Sequence, residues 1–167
     1  MAEGYRYLIV FTMLTVIEFL PIAGTGDMTA HYNTHAINLA SKGFEREALR
    51  YWEESSGMNR PYSAYANLSL AGVALRRGDL EAGKRYLELI PDASFTAAQK
   101  HELMGDILLR EGRTNEAVAA YRRSLSVNAG QRGVYMKMIR IVETTNPSEA
   151  TRLRQQLAWV ASFYPAQ

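Results

Sequence analysis

Cysteine is missing from this 167-residue sequence, and its absence excludes several classes of protein. Without thiols the chain cannot form disulfides, thiolate zinc sites, cysteine nucleophiles or a covalently attached haem of the C-x-x-C-H kind. An excess of one charge is lacking too, because 19 basic and 17 acidic residues leave a net charge of +2. The basic residues are spread along the chain, so composition does not favour a nucleic-acid-binding protein.

Motifs for nucleotide binding and hydrolysis are also lacking. The stretch GTGD at 24–27 has no lysine and no helix pattern after it, and no G-x-S-x-G occurs. Glu102 and Asp106 would share one helix face, whereas glycosidase carboxylates stand across a cleft, so we interpret them as solvated. Arg122 and Arg123 are also expected on a solvated surface, with contact to an acidic partner or anionic lipid as the alternative. We therefore expect no catalytic site and no cofactor.

The first segment differs from the rest, since the 17 residues from Tyr7 to Ala23 carry one charge, Glu18. A helix of that length spans roughly 25 Å at about 1.5 Å per residue, which is short for a bilayer core of about 30 Å. A cleaved signal peptide, a retained anchor and a buried or interfacial helix are the three interpretations. Glu18 and the lack of a clean A-x-A site disfavour cleavage. We predict an uncleaved single-pass anchor at 1–24, packed against other membrane helices, and a linker at 25–29.

Within this predicted anchor, Glu18 either pairs with a polar group of a neighbouring subunit or reaches the headgroups near the helix end. Arg6 precedes the segment, and the next basic residue is Lys42. This asymmetry favours a domain on the outer, periplasmic side of the membrane. The side chains expected to contact membrane or partner helices are Tyr7, Phe11, Glu18 and Phe19.

Most of the remaining chain repeats with a period near 34 residues. The stretches LASKGFEREALRYW, ALRRGDLEAGKRYL and LLREGRTNEAVAAY align on the turn glycines Gly43, Gly78 and Gly112. Glycine at these points ends one helix before the next begins, and no strand-like alternation lies between turns. Thr96 with Gln99 and Asn146 with Glu149 predict side-chain caps at two helix starts. The pattern predicts an all-α chain of helix pairs.

This pattern resembles the tetratricopeptide repeat (TPR) family over roughly residues 29–163. The resemblance implies an α-solenoid of antiparallel helix pairs at 30–165, with units at about 29–61, 64–95 and 98–129 and a degenerate cap at 132–163. Three first-helix tryptophans of the family are replaced here by Tyr32, Asn67 and His101. The small positions are Ala36, Ala48, Ala71, Gly83, Gly105 and Ala117, and the large ones in the second helices are Trp52, Leu87 and Tyr121.

The stretch HYNTH places His31 and His35 four residues apart, on one face of a helix. A metalloprotease would need Glu after the first histidine, where Tyr32 stands, and a zinc site would need a third ligand. The third histidine, His101, is two units away. We interpret both as structural residues of the first repeat helix, with a metal or haem ligand shared with a partner as the alternative.

In TPR solenoids the first helices line a concave groove that binds the partner, so the resemblance implies a groove here. An apolar or amphipathic protein segment would suit it, unless its leucines pack between repeats instead. We expect a non-catalytic interaction protein, a membrane-anchored scaffold or an accessory or assembly subunit of a membrane complex. An accessory subunit that covers the cofactor-bearing partner of a redox or energy-converting complex is the alternative. The predicted groove residues are Asn33, Ile37, Tyr65, Leu68, Leu75, Gln99, Glu102, Asp106, Leu109, Met136 and Arg140.

Overall fold

The structure, a computed structural model, describes residues 27–163, and every regular element in that range is an α-helix. The all-α prediction is thereby confirmed for this part of the chain. None of its helices has both the length and the apolar character needed to cross a membrane. The predicted anchor at 1–24, with Tyr7, Phe11, Glu18 and Phe19, lies outside the described residues. The helices are α1 Met28–Ser41, α2 Glu45–Gly57, α3 Ser63–Arg77, α4 Leu80–Glu88, α5 Ala97–Arg110, α6 Thr114–Val127, α7 Arg132–Val142 and α8 Pro147–Phe163.

The chain divides into two compact units, and the first of them ends at Ser63. Its described part consists of α1 and α2, which pack against each other. Asp27 starts α1, because its carboxylate accepts a hydrogen bond of 3.0 Å from the Thr29 amide. Ala36 and Ala48 are fully buried, so the two predicted small positions do lie inside this helix pair.

The second unit starts at Ala64, the second residue of α3, and includes the helices through α8. Two clusters of buried apolar residues form its core. One includes Leu75, Leu87 and Ile107 from α3, α4 and α5. The other joins α5 to α8 and includes Tyr121, whose side chain is completely enclosed. The helix pairs therefore share their cores with their neighbours along this unit, as stacked repeats do.

The three turn glycines adopt the left-handed backbone conformation that ends a helix. Their φ angles are +87° at Gly43, +80° at Gly78 and +76° at Gly112. Side chains with a Cβ are strained there, whereas glycine is not. The repeat spacing thus predicts these turns correctly.

Gly105 permits a close contact between two helices of the second unit. A Cβ at this position would lie only 2.6 Å from the Cε1 atom of Tyr121. Since atoms this close must move apart, α5 and α6 can approach each other here only because residue 105 is glycine. A position predicted to be small thus lies against one predicted to be large at this crossing.

One predicted helix cap is confirmed and the other is wrong. The Asn146 side chain accepts a hydrogen bond of 3.1 Å from the Glu149 amide, which caps α8. Thr96 precedes α5 but makes no capping bond, because its hydroxyl lies 2.9 Å from that of Ser94 instead. A neighbouring serine thus engages the hydroxyl that the capping box required.

Candidate functional site

Each first helix of a pair exposes one large apolar side chain at a predicted groove position. The exposed fractions are 58% for Ile37, 43% for Tyr65, 39% for Leu109 and 56% for Met136. We call these four the first-helix apolar residues. Within the described part of the chain, the second helices α2 and α4 expose no large apolar side chain, and α6 exposes only its last residue, Val127. The last second helix, α8, differs, because Trp159 is 64% exposed and Phe163 is 63% exposed there. In the first two pairs, the exposed large apolar side chains therefore lie on the first helix.

Two predicted groove residues are buried, which corrects their assignment to an open surface. Asn33 is 5% exposed, because its amide reaches inward and donates a hydrogen bond of 2.8 Å to the Tyr62 carbonyl. Leu75 is 7% exposed and belongs to the core of α3, α4 and α5. Leu68 is half-buried against the same core, which is the packing role that the alternative interpretation gave to the leucines.

The predicted acidic residues on α5 form an ion-pair network with a lysine on α7. The Lys137 ammonium group donates to Glu102 and to Asp106, both at 2.8 Å. Asp106 also accepts a hydrogen bond of 2.7 Å from the hydroxyl of Tyr121 on α6. These four residues, called the Lys137 network below, connect three helices. Glu102 and Asp106 are therefore paired side chains, which corrects their interpretation as simply solvated.

The network changes the acidity of two of its members. Burial lowers the pKa of Lys137, but the hydrogen bonds to Asp106 and Glu102 outweigh it, so the pKa lies above its usual value. Burial raises the pKa of the Tyr121 hydroxyl, and the hydrogen bond to Asp106 raises it further. At neutral pH the lysine is therefore charged and the tyrosine is neutral.

Lys137 was not among the predicted groove residues, although Met136 and Arg140 on the same helix were. A signal for it exists in the sequence, since Lys137 lies one turn before Arg140 on a first helix. The pairing itself joins residues 31 and 35 positions apart, and no local pattern indicates such a contact. Gln99 and Arg140, the last two predicted groove residues, are both exposed.

Tyr65 packs against a second exposed aromatic ring. Its ring centroid is 4.6 Å from that of Phe95, which is 54% exposed and lies before α5. Aromatic pairs at this distance attract each other and keep a defined orientation. The pair presents a preformed apolar patch beside the start of α3.

The two histidines of HYNTH are exposed on α1. The His35 ring lies edge-on to that of Tyr51 on α2, with centroids 4.6 Å apart. Between residues 27 and 163 no three acidic or histidine side chains are grouped to hold a metal ion. A metal or haem site that His31 and His35 share with a partner stays a prediction.

Comparison with known proteins addresses the fold. The profile of the family described as tetratricopeptide repeat-like domain matches residues 30–143. A solved structure titled "MamA RS-1 ArsTM double mutant" is similar with a TM-score of 0.55 and 12% identity, over 86% of this chain and all of that one. No curated protein matches the chain. At this identity the structural likeness concerns the fold alone.

Proposed function

Because this chain belongs to the tetratricopeptide repeat-like domain family, we propose that it is a non-catalytic protein-binding module. In this proposal it is a scaffold, or an accessory or assembly subunit of a membrane complex. The observation that supports it most is that every first helix exposes a large apolar side chain at a predicted groove position: Ile37 in the first unit, and Tyr65, Leu109 and Met136 in the second. Large apolar side chains that stay exposed to water at recurring repeat positions are typical of a surface that a partner covers.

The surface of α5 and α7 favours an amphipathic partner segment. Leu109 lies one turn after Asp106, and Met136 directly precedes Lys137. Apolar side chains thus flank a network in which two carboxylates meet one ammonium group. Its surplus negative charge complements a basic residue, while Leu109 and Met136 suit apolar ones.

The proposal includes the membrane. The segment at 1–24 would hold the domain at the bilayer, on its outer side, and so raise its effective concentration near membrane partners. Its 17 residues with a single charge support this. Glu18, together with Tyr7, Phe11 and Phe19, would contact neighbouring membrane helices.

The test is co-purification of the tagged full-length chain from its native membranes in mild detergent, followed by quantitative mass spectrometry. A variant with Ile37, Tyr65, Leu109 and Met136 changed to serine should lose its stoichiometric partner. A control variant with Phe44, Leu89 and Val127 changed to serine also removes exposed apolar residues, but none from a first helix. It should keep the partner. If both variants retain the partner equally, the proposed binding surface is wrong.

A chain that starts at Thr25 separates anchoring from recognition. If the full-length chain retains membrane proteins and the shorter one does not, the N-terminal segment takes part in assembly. If both retain the same partner, the helical domain carries recognition. If neither retains any protein, the interaction proposal is wrong.

A further inference from the structure

A pocket of about 370 Å³ lies between α6, α7 and α8 in the second unit. Its floor is apolar and formed by well-buried side chains. Its rim carries two arginines and one glutamate. The residues that define it are Tyr135, Met138, Leu153, Arg122, Glu149 and Arg152.

Glu149 is held in place at this rim and neutralises one of the two arginines. Its carboxylate pairs with the Arg122 guanidinium and also accepts from the Asn146 amide at 3.3 Å. Arg152 stands 3.9 Å from the same carboxylate, which is too long for a hydrogen bond. The Arg152 side chain is 66% exposed. The rim therefore carries a net positive charge, with guanidinium donors of Arg152 facing water.

The segment that contains α6 to α8 has a net positive charge, as the rim of the pocket does. Residues 114–163, which include α6 to α8, contain seven basic and three acidic residues. Residues 27–113 contain eleven basic and twelve acidic residues. The modest positive charge of the whole chain is therefore carried by the segment that contains the three helices of the pocket. Such asymmetry attracts a partner of negative charge.

We propose that this pocket binds a protein segment in which an acidic residue stands next to an apolar one. The acidic side chain pairs with Arg152, in the bidentate geometry that guanidinium and carboxylate groups favour. The apolar side chain enters the pocket and packs beside the half-buried Leu125, next to the buried Met138 and Leu153. This second binding surface, distinct from the first-helix apolar residues, rests on the proposed function as a protein-binding module.

The experiment selects from a displayed library of random 12-residue peptides against the full-length protein in detergent. Selected peptides should carry Asp or Glu within two residues of Leu, Met, Phe or Tyr. Their affinity is then measured by fluorescence polarisation for the wild type and for Arg152→Gln. Loss of a hydrogen-bonded charge pair predicts a decrease of about tenfold.

Arg154→Gln is the matched control, because it makes the same change on the same helix. Arg154 pairs with Glu143 and lies two residues from Arg152, on the other side of α8. The control should bind selected peptides like the wild type. A Leu109→Ser, Met136→Ser variant should do so too, which separates this pocket from the first-helix surface.

Three results would overturn the proposal: selected peptides without acidic residues, equal affinity of Arg152→Gln and wild type, or equal losses for Arg152→Gln and Arg154→Gln. Vesicles with 30% phosphatidylserine form a further arm. If they bind the protein in a manner that requires Arg152 while no peptide is selected, the pocket serves anionic lipid and the peptide proposal fails. Loss of peptide binding only in the Leu109→Ser, Met136→Ser variant would instead support the first-helix surface and refute this pocket.

Discussion

The first helix pair, α1 with α2, and the third, α5 with α6, place a large aromatic residue at the same repeat position with different results. Trp52 is buried in the first pair, and its indole N–H has no hydrogen-bond partner in the described structure. Tyr121 is buried in the third pair, and its hydroxyl reaches Asp106 at 2.7 Å. A buried polar atom without a partner costs stability, whereas a paired one does not. At this repeat position, Trp52 therefore only packs in the core of the first pair. Tyr121 in the third pair also connects to α7 through Asp106 and Lys137.

The small residue at the matching position of the first helix also differs between the two pairs. The first pair has Ala36 at this position, and the third has Gly105, where the Tyr121 ring occupies the space of a Cβ. The ring position that brings the hydroxyl to Asp106 therefore requires glycine on α5. In the third pair, the large residue and the small one that it contacts therefore depend on each other.

The largest expected effect comes from Gly105→Ala. The added methyl would meet the Tyr121 ring at 2.6–2.9 Å, and such overpacking costs about 1–3 kcal/mol of unfolding free energy. Urea denaturation followed by circular dichroism measures this loss. Gly72→Ala is the control, since its methyl meets only the flexible Arg76 side chain at 3.9 Å. It should leave stability unchanged or raise it by about 0.5–1 kcal/mol. Equal effects of the two substitutions would show that helix propensity, and not the ring contact, dominates at Gly105.

Substitutions in the turns of the first and third pairs should change stability equally, although the interiors of these pairs differ. Gly43→Ala and Gly112→Ala each place a Cβ at a positive φ and meet no atom within 4 Å. Both should lose about 1–2 kcal/mol, because the left-handed conformation is strained for L-residues. The same urea titrations measure this. A much larger loss at one of the two would mean that the pairs differ in their turns as well as at the aromatic position.

The smallest effect is expected from Tyr121→Phe, which removes the hydroxyl but keeps the ring. It should lose about 0.5–1.5 kcal/mol at pH 7, the usual value of one hydrogen bond. The pKa values of Tyr121 and Lys137 are raised in the folded state. Their stabilisation is therefore complete below the unfolded values of about 10 and 10.4 and is lost as pH rises above them.

Stability measured from pH 8 to pH 11 should consequently fall less steeply in Tyr121→Phe than in the wild type. Tyr86→Phe is the matched control, because Tyr86 is a half-buried tyrosine on α4 without a hydrogen bond from its hydroxyl in the described structure. It should follow the wild-type curve. If all three curves have the same slope, the Tyr121 hydroxyl does not contribute to the alkaline loss.

The sequence permits good prediction where the cause is local or periodic. Gly43, Gly78 and Gly112 mark turns because their spacing and conformational freedom are visible in the chain. Ala48, Gly105 and Ala117 mark helix crossings for the same reason. The prediction for Thr96 failed because a neighbouring serine competes for its hydroxyl, and relative hydrogen-bond geometry is not encoded in a four-residue motif.

The exposure of the predicted groove residues agrees with the prediction in part. Ile37, Tyr65, Leu109 and Met136 are exposed as expected, whereas Asn33 and Leu75 are buried. A polar side chain such as Asn33 can turn inward when a carbonyl on another segment accepts from it, here that of Tyr62. Helical spacing alone does not predict where such an acceptor lies.

The amino-acid sequence by itself determined the paired helices, their turns and the small residues at which they cross, because these depend on periodicity and backbone freedom within a few tens of residues. Only the tertiary structure decided which charges meet. Lys137 joins Glu102 and Asp106 across helices, and Glu149 joins Arg122 across 27 positions. Such contacts depend on where packed helices bring distant side chains together, and one sequence does not specify that geometry locally.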